Sequence, residues 1–507
     1  MKRKLLFSLL AVFLFATTLI FNSSVSKASF EPTQTARPNI VLILADDLDE
    51  ATSPYWEAMP KTAALLRDKG MRFTDAFAPT PICCPARSTI LTGKYGHNTG
   101  ILTNGGEFGG WATFRANGNE QKTIAVYLQN AGYKTALIGK YLNGIEQQPT
   151  YIPPGWSEWY AFVDNISYTG YNYKMNQNGT IVQYGNADND YATDVVANRA
   201  VDVINRAEAD DSRPFFLYVS PTAPHLPLPP ARRHENNPYR NALSPRTPNY
   251  NEADLSDKSS WLQISGEDRA EQVNTWNDLD YRNRMGSLYA LDDLVEKIVN
   301  TLQAKGELEN TVIVFTSDNG YNLGAHRLIH KMAPYEESIR VPLVIRGPGI
   351  SPSVERRMAL ETDFAPTLLE LAEVSIPTDM DGRSLVPILR RTFVTNWRSD
   401  FLVQYITGGA ANGVGAELPP GFFIIGTDQE IPTYRALRTK DYTFIEWYDR
   451  EQLDRLHEYE LYNLRNDPYQ LNNLISTPQG KIQYRNLVDQ LTNRMNQLSD
   501  CAGSNCQ

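Results

Sequence analysis

The sequence predicts an α/β fold with a large, mostly parallel sheet flanked by helices and a smaller C-terminal domain with an antiparallel sheet. Between about residues 37 and 390, short β-branched runs alternate with amphipathic helical segments, which is typical of a parallel sheet covered on both faces. Beyond about Asn396 the pattern changes to short strands with aromatic alternation and a final helix. We therefore expect a large domain at residues 37–395 and a small domain at residues 396–507.

Four apolar runs predict the strands at the centre of the large sheet. Each run is continuous, without alternation of apolar and polar residues, as burial on both faces requires. The runs lie at residues 39–44, 135–138, 215–219 and 311–315. In the C-terminal part, strands are predicted at residues 401–405, 434–437, 442–447 and 460–464, with a helix at about residues 480–498.

An apolar stripe predicts one long helix that ends at Gly306. The stripe consists of Leu288, Leu291, Leu294, Ile298 and Leu302. Before that helix, residues from about Pro229 to Arg284 are polar and show no sustained period. We expect a long surface excursion there, which either lines a substrate entrance or is a solvated loop.

The N-terminus has the pattern of a secretory signal peptide, predicted at residues 1–28. A basic start is followed by an apolar run at residues 5–21 and by small residues at Ser26 and Ala28. Because the run approaches the length that spans a bilayer, an uncleaved membrane anchor is the alternative. Cleavage after Ala28 predicts an exported protein, in the periplasm, outside the cell or in a lysosome-like compartment, with no stable membrane insertion.

The net charge and the cysteines indicate which partners and which compartment to expect for the chain. The formal net charge of -10 excludes a broad basic surface for nucleic acid. Two of the four cysteines, Cys501 and Cys506, lie close together at the C-terminus, and in an oxidising compartment we predict a disulfide between them. Two free thiols in a frayed tail are the alternative.

Two polar pairs directly follow central strands and predict a metal site. Asp46 and Asp47 follow the first predicted strand, and Asp318 and Asn319 follow the last. Ligands gather at the carboxyl edge of an open parallel sheet, so pairs distant in sequence can meet there. Three carboxylates and an amide oxygen favour Ca²⁺, with Mg²⁺ as second choice, over zinc. For either pair alone, a helix cap or a solvated turn is the alternative.

Two further side chains are expected at the same edge. Lys140 follows the strand at residues 135–138, and His225 comes shortly after the strand at residues 215–219. A solvated lysine and a capped loop histidine are the ordinary explanations of each residue alone. Together with the two metal pairs, they place cationic and acid-base groups around one rim of the sheet.

A cysteine motif carries the strongest functional signal. Residues 81–93 contain the run Cys-Cys-Pro-Ala-Arg, and only from Cys83 does a proline stand at the second following position and Arg87 at the fourth. Ordinary small apolar cysteines in a buried turn are the alternative. Together with the block at residues 317–343 after the second metal pair, this motif resembles the sulfatase family. The resemblance covers the chain from about residue 37 to the C-terminus.

The resemblance implies an alkaline-phosphatase-like sandwich and a formylglycine-dependent, type I sulfatase in the large domain. In that family a formylglycine-generating enzyme oxidises the cysteine at the position of Cys83 before folding, and the hydrated aldehyde is the nucleophile. The resemblance also implies that Arg87, Lys140 and Lys331 neutralise the sulfate together with the metal, and that His225 protonates the leaving alcohol.

Within the family, the chain most resembles N-acetylglucosamine-6-sulfatases and heparan endosulfatases. The segment that contains Lys94 and His97 and the closing Cys-Ala-Gly-Ser-Asn-Cys carry this resemblance, which implies a sulfated carbohydrate as substrate. The chain departs from arylsulfatase-type members at Leu142, where those have a histidine, and His97 or His326 could replace it. Lys94, His97 and His326 are therefore candidate substrate-binding residues. The long basic insert of the endosulfatases is absent, which disfavours endo action on polymers.

Three alternatives remain open from the sequence. An arylsulfatase is close in chemistry, although Leu142 argues against it. A phosphonate or phosphate monoester hydrolase of the same superfamily could use the same cationic groups, although the phosphatase relatives usually have serine or threonine as nucleophile and bind zinc. A non-catalytic glycan-binding relative belongs to another functional class, and the complete set of nucleophile, metal and cationic residues disfavours it.

Overall fold

The fold is described here from a computed structural model that covers residues 37–52, 54–210, 212–264, 266–407, 431–449 and 455–507. The predicted signal peptide at residues 1–28 lies outside these residues. The part from Arg37 onward forms one compact unit, and the domain boundary at residue 396 stays a prediction. No helix among the described residues has both the length and the hydropathy of a membrane span.

Most strands of the described chain are short, and the longest lie at the centre of the large sheet and in the C-terminal sheet. In chain order they are β1 (Asn39–Ala45), β2 (Met71–Phe73), β3 (Ala76–Phe77), β4 (Lys134–Gly139), β5 (Glu158–Phe162), β6 (Lys174–Gln177), β7 (Thr180–Gln183), β8 (Phe215–Ser220), β9 (Thr311–Ser317), β10 (Asn322–Leu323), β11 (Ile329–His330), β12 (Leu343–Arg346), β13 (Ser353–Glu355), β14 (Ala359–Leu360), β15 (Asp400–Tyr405), β16 (Tyr434–Thr439), β17 (Tyr442–Tyr448) and β18 (Leu456–Asn463).

The large sheet has ten strands in the order β13-β2-β12-β9-β1-β8-β4-β5-β6-β7. The five strands β9, β1, β8, β4 and β5 are parallel to one another. Antiparallel neighbours begin only outside this group, at β12 and at β6. The carboxyl ends of the five central strands therefore lie at one common edge.

The helices range from single turns to one helix of forty residues. In chain order they are α1 (Tyr55–Ala58), α2 (Pro60–Thr62), α3 (Cys83–Thr92), α4 (Gly96–Thr99), α5 (Gly110–Ala116), α6 (Ile124–Asn130), α7 (Ala192–Glu208), α8 (Ser260–Ile264), α9 (Gly266–Lys305), α10 (Glu336–Ile339), α11 (Phe364–Leu371), α12 (Val386–Leu389), α13 (Pro478–Gln483) and α14 (Arg485–Ser499).

The two faces of the central sheet pack into two separate hydrophobic clusters. On β1, Val41 and Ile43 belong to the cluster that contains apolar side chains of α7 and α9. Ile40 and Leu42, which alternate with them, belong to the cluster with side chains of α3, α6 and α11. Successive residues of a strand point to opposite faces, so a strand covered on both faces must be apolar throughout.

The C-terminal sheet has four antiparallel strands in the order β15-β16-β17-β18. Its side chains share one hydrophobic cluster with α14 and with residues of the larger part such as Phe77 and Tyr335. At the end of the chain a disulfide joins Cys501 and Cys506. The C-terminal sheet thus packs against segments of the larger part that lie outside the ten-stranded sheet.

The predicted fold class is confirmed: a mostly parallel sheet lies between helices, and a small antiparallel sheet follows. The predicted surface excursion was wrong in its second part, because α9 begins at Gly266. The buried side of this helix includes Asn277 and Arg284 next to Val273 and Tyr281. These polar residues interrupt the apolar period from which the sequence predicts a helix.

Candidate active site

Six polar side chains that follow the central strands come together at the carboxyl edge of the sheet. They follow β1, β4, β8 and β9, which are neighbours in the order β9-β1-β8-β4. These residues are Asp46, Asp47, Lys140, His225, Asp318 and Asn319. Direct contacts link them to one another and to Cys83.

Cys83 is the first residue of α3, and its side chain lies among these groups. Only 2% of its surface is exposed. The Lys331 ammonium group is 2.8 Å from the sulfur atom, and one carboxylate oxygen of Asp46 is 3.9 Å away. Burial raises the pKa of the Cys83 thiol, and the positive charges of Lys140 and Lys331 only partly oppose this. An unmodified Cys83 would therefore be protonated at neutral pH.

Arg87, one turn further along α3, is fully buried and organises the carboxylates. Its Nε donates to Asp318 at 2.8 Å. One terminal nitrogen donates to the Ser220 hydroxyl at 2.7 Å and to the carbonyl oxygen of Lys140 at 3.1 Å. The other lies 3.7 Å from Asp46. Arg87 therefore joins α3 to the ends of four central strands, by hydrogen bonds at three of them and by an ion pair at the fourth.

Two lysines pair with the two aspartates after β1. Lys140 Nζ lies 2.9 Å and 2.7 Å from the two carboxylate oxygens of Asp46, and Lys331 Nζ contacts Oδ1 of Asp47. Next to Lys331, the N–H of residue 332 donates to the carbonyl oxygen of Pro81 at 3.2 Å. This bond ties the loop that carries Lys331 to the segment that precedes Cys83.

Burial raises the pKa of each of these aspartates, and the neighbouring cations lower it. Burial raises the pKa of Asp46, but neighbouring cations, led by Lys140, outweigh it and leave the pKa below its usual value. For Asp47, cations led by Lys331 likewise outweigh burial and lower the pKa to about 2. Both carboxylates therefore stay ionised at neutral pH.

His225 is the most exposed of these groups, with 23% of its side chain accessible. Nδ1 faces the carbonyl oxygen of Leu226, which can only accept, so we assign the Nδ1 proton to this bond. Nε2 is then free to exchange a proton on the side of the site, 3.5 Å from Asp47. Burial lowers the pKa of the imidazole, although Asp47 and Asp46 oppose this.

An acidic cluster in the site could hold a metal ion. The ligand atoms of Asp46, Asp47, Cys83 and His225 all lie within 4.8 Å of one another. Asn319 Oδ1 is buried, and no described group donates a hydrogen bond to it. Carboxylates and a free amide oxygen suit a hard cation.

Asp318 and Asn319 contact the cluster but are not among its grouped ligand atoms. Asp318 accepts the backbone N–H of Asp47 at 3.0 Å, and the Asn319 amide donates to Asp47 at 2.7 Å. The residues present fit a divalent cation, and the ligand role of these two residues stays a prediction.

Lys94 and His97 have partners that do not belong to this group. Lys94 Nζ pairs with Asp379 at 2.6 Å. His97 lies 2.8 Å from the Gln404 side-chain oxygen and 3.1 Å from the carbonyl oxygen of Cys501. The His97 contacts attach the segment after α3 to the C-terminal part, and none of these contacts supports substrate binding.

His326 is also engaged elsewhere. It is fully buried, its Nδ1 is 2.6 Å from Glu252, and its ring packs at 4.4 Å from that of Tyr335. Leu142 is buried in the hydrophobic cluster that contains side chains of α3, α6 and α11. The substrate-binding roles of His326, Lys94 and His97 stay predictions, and the function proposed below does not depend on them.

Three residues of the site had no strong signal in the sequence. Ser220 ends β8 and binds Arg87, a role that its position after an apolar strand could have suggested. Arg284 of α9 donates to the backbone carbonyl of Asp47, but it lies in the segment expected to be a surface excursion. Tyr168 contacts both Lys140 and His225 from a turn with no motif at all.

Comparisons with known proteins identify the family of this chain. A family model described as Sulfatase matches residues 38–374. The N-acetylglucosamine-6-sulfatase of Capra hircus is 36% identical over 495 residues, which are 93% of this chain and 85% of that protein. An extracellular sulfatase homolog of Drosophila melanogaster is 40% identical over 375 residues, 73% of this chain and 33% of that longer protein.

A solved structure of a protein in complex with its substrate, D-glucosamine-2-N,6-O-disulfate, has the same fold. It is 25% identical in sequence, with a TM-score of 0.71, and the match covers 91% of this chain and 97% of that one. Fold and site together define a sulfuric ester hydrolase with an alkaline-phosphatase-like sandwich. The chain belongs to the sulfatase family.

Proposed function

We propose that this chain removes sulfate from a sulfated sugar, namely N-acetylglucosamine 6-sulfate or a related unit of a glycosaminoglycan. The observation that carries the proposal is the position of Cys83, 2.8 Å from the Lys331 ammonium group and inside the acidic cluster. The amino-sugar substrate is supported by the activity named for the Capra hircus relative and by the sugar bound to the solved neighbour.

The nucleophile in this proposal is a formylglycine made from Cys83. When present, it supplies a hydrated aldehyde, one hydroxyl of which attacks sulfur while the other then expels sulfate. A formylglycine-generating enzyme must act before the chain folds, because only 2% of Cys83 is exposed in the folded protein. Export through the signal peptide at residues 1–28 belongs to the same proposal.

Lys140 and Lys331 balance the charge of the sulfate group. Asp46 and Asp47, with Asp318 and Asn319, would hold a Ca²⁺ ion, which adds positive charge beside the sulfate oxygens. With a cation on the carboxylates, each lysine can direct its ammonium group to a sulfate oxygen. Removing one such contact typically raises a barrier by about 2.7 to 4 kcal/mol.

Two other donor groups near Cys83 are partly engaged within the protein. Arg87 uses three donors on Asp318, Ser220 and a backbone carbonyl. Its other terminal nitrogen has no hydrogen-bond partner among the described residues and lies 3.7 Å from Asp46, so Arg87 fixes the carboxylates and can also donate to a sulfate oxygen. At the start of α3, the N–H of Cys84 already donates to Asn104 at 2.9 Å. The two lysines and the unpartnered terminal nitrogen of Arg87 therefore supply the charge that balances the sulfate.

His225 is the general acid in this scheme. Its Nδ1 proton is fixed by the bond to the Leu226 carbonyl, so the imidazolium releases its proton from Nε2. The leaving alcohol of the sugar takes this proton as the bond between sulfur and oxygen breaks. The exposure of His225 keeps it in reach of a substrate that enters from solvent.

Sulfate release from a substrate panel with Ca²⁺ present tests the proposal. The panel contains N-acetylglucosamine 6-sulfate at a non-reducing end, an internally sulfated oligosaccharide, an aryl sulfate and an aryl phosphate. Fastest release from the terminal sugar is expected. Preference for the aryl sulfate would contradict the sugar assignment, and preference for the phosphate would favour a phosphate monoester hydrolase.

Cys83→Ala and Cys84→Ala are the matched controls of this assay. Both replace a buried thiol at the start of α3, so their effects on packing are similar. Cys83→Ala should reduce turnover to background while the folded structure is retained. Cys84→Ala should keep turnover within about tenfold of the wild type, because the nucleophile and its charged neighbours are unchanged.

A further inference from the structure

Tyr168 lies between two groups of the site that are far apart in sequence. Its ring centroid is 4.4 Å from that of His225, with an angle of 31° between the ring planes. The Lys140 ammonium nitrogen is 5.3 Å from the same ring centroid. The Tyr168 ring is therefore in contact with both the proposed general acid and one of the proposed sulfate-binding lysines.

The turn that carries Tyr168 is connected to the loop that carries His225. Tyr168 belongs to the 3-10 turn Asn165–Thr169 between β5 and β6. In this turn the Ser167 carbonyl oxygen lies 3.5 Å from the Thr222 hydroxyl, and Thr222 in turn accepts the backbone N–H of His225 at 2.8 Å. The ring and the imidazole thus rest on backbone segments that contact each other.

The aromatic contacts of Tyr168 differ from the other contacts of His225 and Lys140, which are made with carboxylates. Lys140 and His225 both face the carboxylates of Asp46 and Asp47. Those carboxylates would bind a cation in the proposed function, and both side chains would then lose part of their attraction to them. An aromatic face does not depend on that charge balance, because it attracts a cation and packs on an imidazole with or without a metal nearby.

We propose that Tyr168 is a positioning residue whose aromatic ring holds the His225 imidazole and the Lys140 ammonium group in place for sulfate ester cleavage. This inference rests on the proposed function, since it takes the roles of His225 and Lys140 from it. The ring packs on the imidazole and faces the ammonium group, while the hydroxyl adds a hydrogen bond with Lys140. Phenylalanine should therefore keep most of the function of tyrosine at this position, and an aliphatic residue should not.

Steady-state kinetics of three variants test the inference. Tyr168→Phe keeps the ring, Tyr168→Leu removes it, and Tyr171→Leu removes a neighbouring ring that packs on Tyr191 and Arg232 instead. All are measured on whichever sulfate ester the wild type hydrolyses fastest. The choice of that ester tests the proposed function, while the variants test Tyr168.

The expected result is a loss in kcat that only Tyr168→Leu shows. Misplacement of catalytic groups by about 1 Å can cost about 100-fold, so we expect kcat to fall by about 30-fold or more with KM changed by less than about threefold. Tyr168→Phe and Tyr171→Leu should keep kcat within about threefold of the wild type. Wild-type kcat in Tyr168→Leu, or equal losses in the Leu and Phe variants, would overturn the inference.

A crystal structure of Tyr168→Leu provides a readout that does not depend on turnover. The His225 ring and the Lys140 side chain should leave their wild-type positions relative to residue 83, and unchanged positions would overturn the inference. If the Leu variant does not fold, Tyr168→Met, which fills a similar volume without a ring, carries the same expectations in both experiments.

Discussion

At the scale of single residues, the site is a set of opposite charges held away from water. Arg87 and Asp318 are fully buried as a pair, and Lys140 is bound by both oxygens of Asp46. Removing one member of such a pair leaves the other charge buried without a partner, which typically costs about 3 to 5 kcal/mol. The same arrangement keeps Asp46 and Asp47 ionised, as a cation site requires.

Removal of the metal ion by a chelator should lower both the rate of sulfate release and the stability of the folded chain. Dialysis against a chelator is expected to lower sulfate release by about tenfold or more, and Ca²⁺ should restore it better than Mg²⁺. Because the carboxylates come together only in the folded chain, Ca²⁺ at about 100 times its Kd should stabilise the fold by about 2.7 kcal/mol. Thermal unfolding and an activity assay with each metal measure both effects.

Two variants make the chelation experiment specific. Asp47→Asn should lose the response to Ca²⁺, because it removes a ligand from the cluster. Asp379→Asn, which changes a carboxylate paired with Lys94 outside the cluster, should respond like the wild type. Full activity after chelation, with no metal found by elemental analysis, would contradict the metal site.

At the scale of secondary-structure elements, the ends of the central strands position the polar side chains of the site. The uninterrupted apolar runs of β1, β4, β8 and β9 and the polar residues after them were predictable from the sequence, because burial on both faces leaves a simple pattern. The roles of Arg284 and Tyr168 were not predictable. Both depend on packing between segments distant along the chain, and neither residue belongs to a repeating pattern.

Gly139 at the end of β4 should not tolerate a side chain. Its φ is +111°, and an added Cβ would lie 2.0 Å from the carbonyl oxygen of Ser220. The same oxygen accepts the N–H of Lys140, so Gly139→Ala should move Lys140 as well. We expect a loss of about 3 kcal/mol or more in unfolding free energy and a clear loss of activity.

Gly179 offers a matched control for Gly139. It also has a positive φ, of +91°, but no heavy atom lies within 4 Å of an added Cβ. Gly179→Ala should therefore cost only the backbone strain, about 1 to 2 kcal/mol, and leave activity unchanged. Equal losses of stability in the two variants, measured by urea unfolding, would show that the contact with Ser220 is not the cause.

Asp280 on α9 should make stability depend on pH. Burial raises its pKa to about 7, although Arg284 opposes this, whereas an unfolded aspartate has a pKa of about 3.9. The protonated carboxyl group of Asp280 thus contributes fully to the stability of the folded chain below about pH 4. This contribution is lost as the pH rises through about 7. Asp280→Asn should therefore be more stable than the wild type at pH 8, by an amount that is constant above about pH 7 and shrinks by about 1.4 kcal/mol per pH unit between about pH 7 and pH 4.

The neighbouring Asp278 should behave in the opposite way. Its carboxylate pairs with Arg246 and accepts the backbone N–H of Ser244, and although burial opposes them these contacts lower its pKa. Asp278→Asn should lose stability at pH 8. The same sign for both variants in urea unfolding at pH 8 would contradict the assigned environments.

At the scale of the whole molecule, the C-terminal sheet shares a hydrophobic core with segments that lie outside the ten-stranded sheet. The cluster around the C-terminal sheet contains Phe401, Leu437 and Trp447 together with Phe77 and Tyr335 from the larger part. The sequence indicates the change of sheet type near residue 396 but not this shared core, since hydrophobic contacts between distant segments leave no local pattern. The contacts of His326 with Glu252 and of His97 with Cys501 were unpredictable for the same reason.

A fragment of residues 37–395 should not fold independently. Without the C-terminal sheet, Phe77 and Tyr335 lose the partners of their cluster, and exposed patches of this kind promote aggregation. Residues 37–507 should instead unfold in one cooperative transition. Solubility and thermal unfolding of both chains measure the difference, and a soluble, cooperatively folded 37–395 fragment would contradict the shared core.

The central claim is that residue 83 supplies the nucleophile as formylglycine. The most direct test is the mass of the tryptic peptide from Phe73 to Arg87, measured on the same preparation that is assayed for sulfate release. The account predicts the mass of the aldehyde in place of the Cys83 thiol, with activity proportional to the converted fraction. Full activity in a preparation whose peptide carries only the unmodified thiol would contradict it.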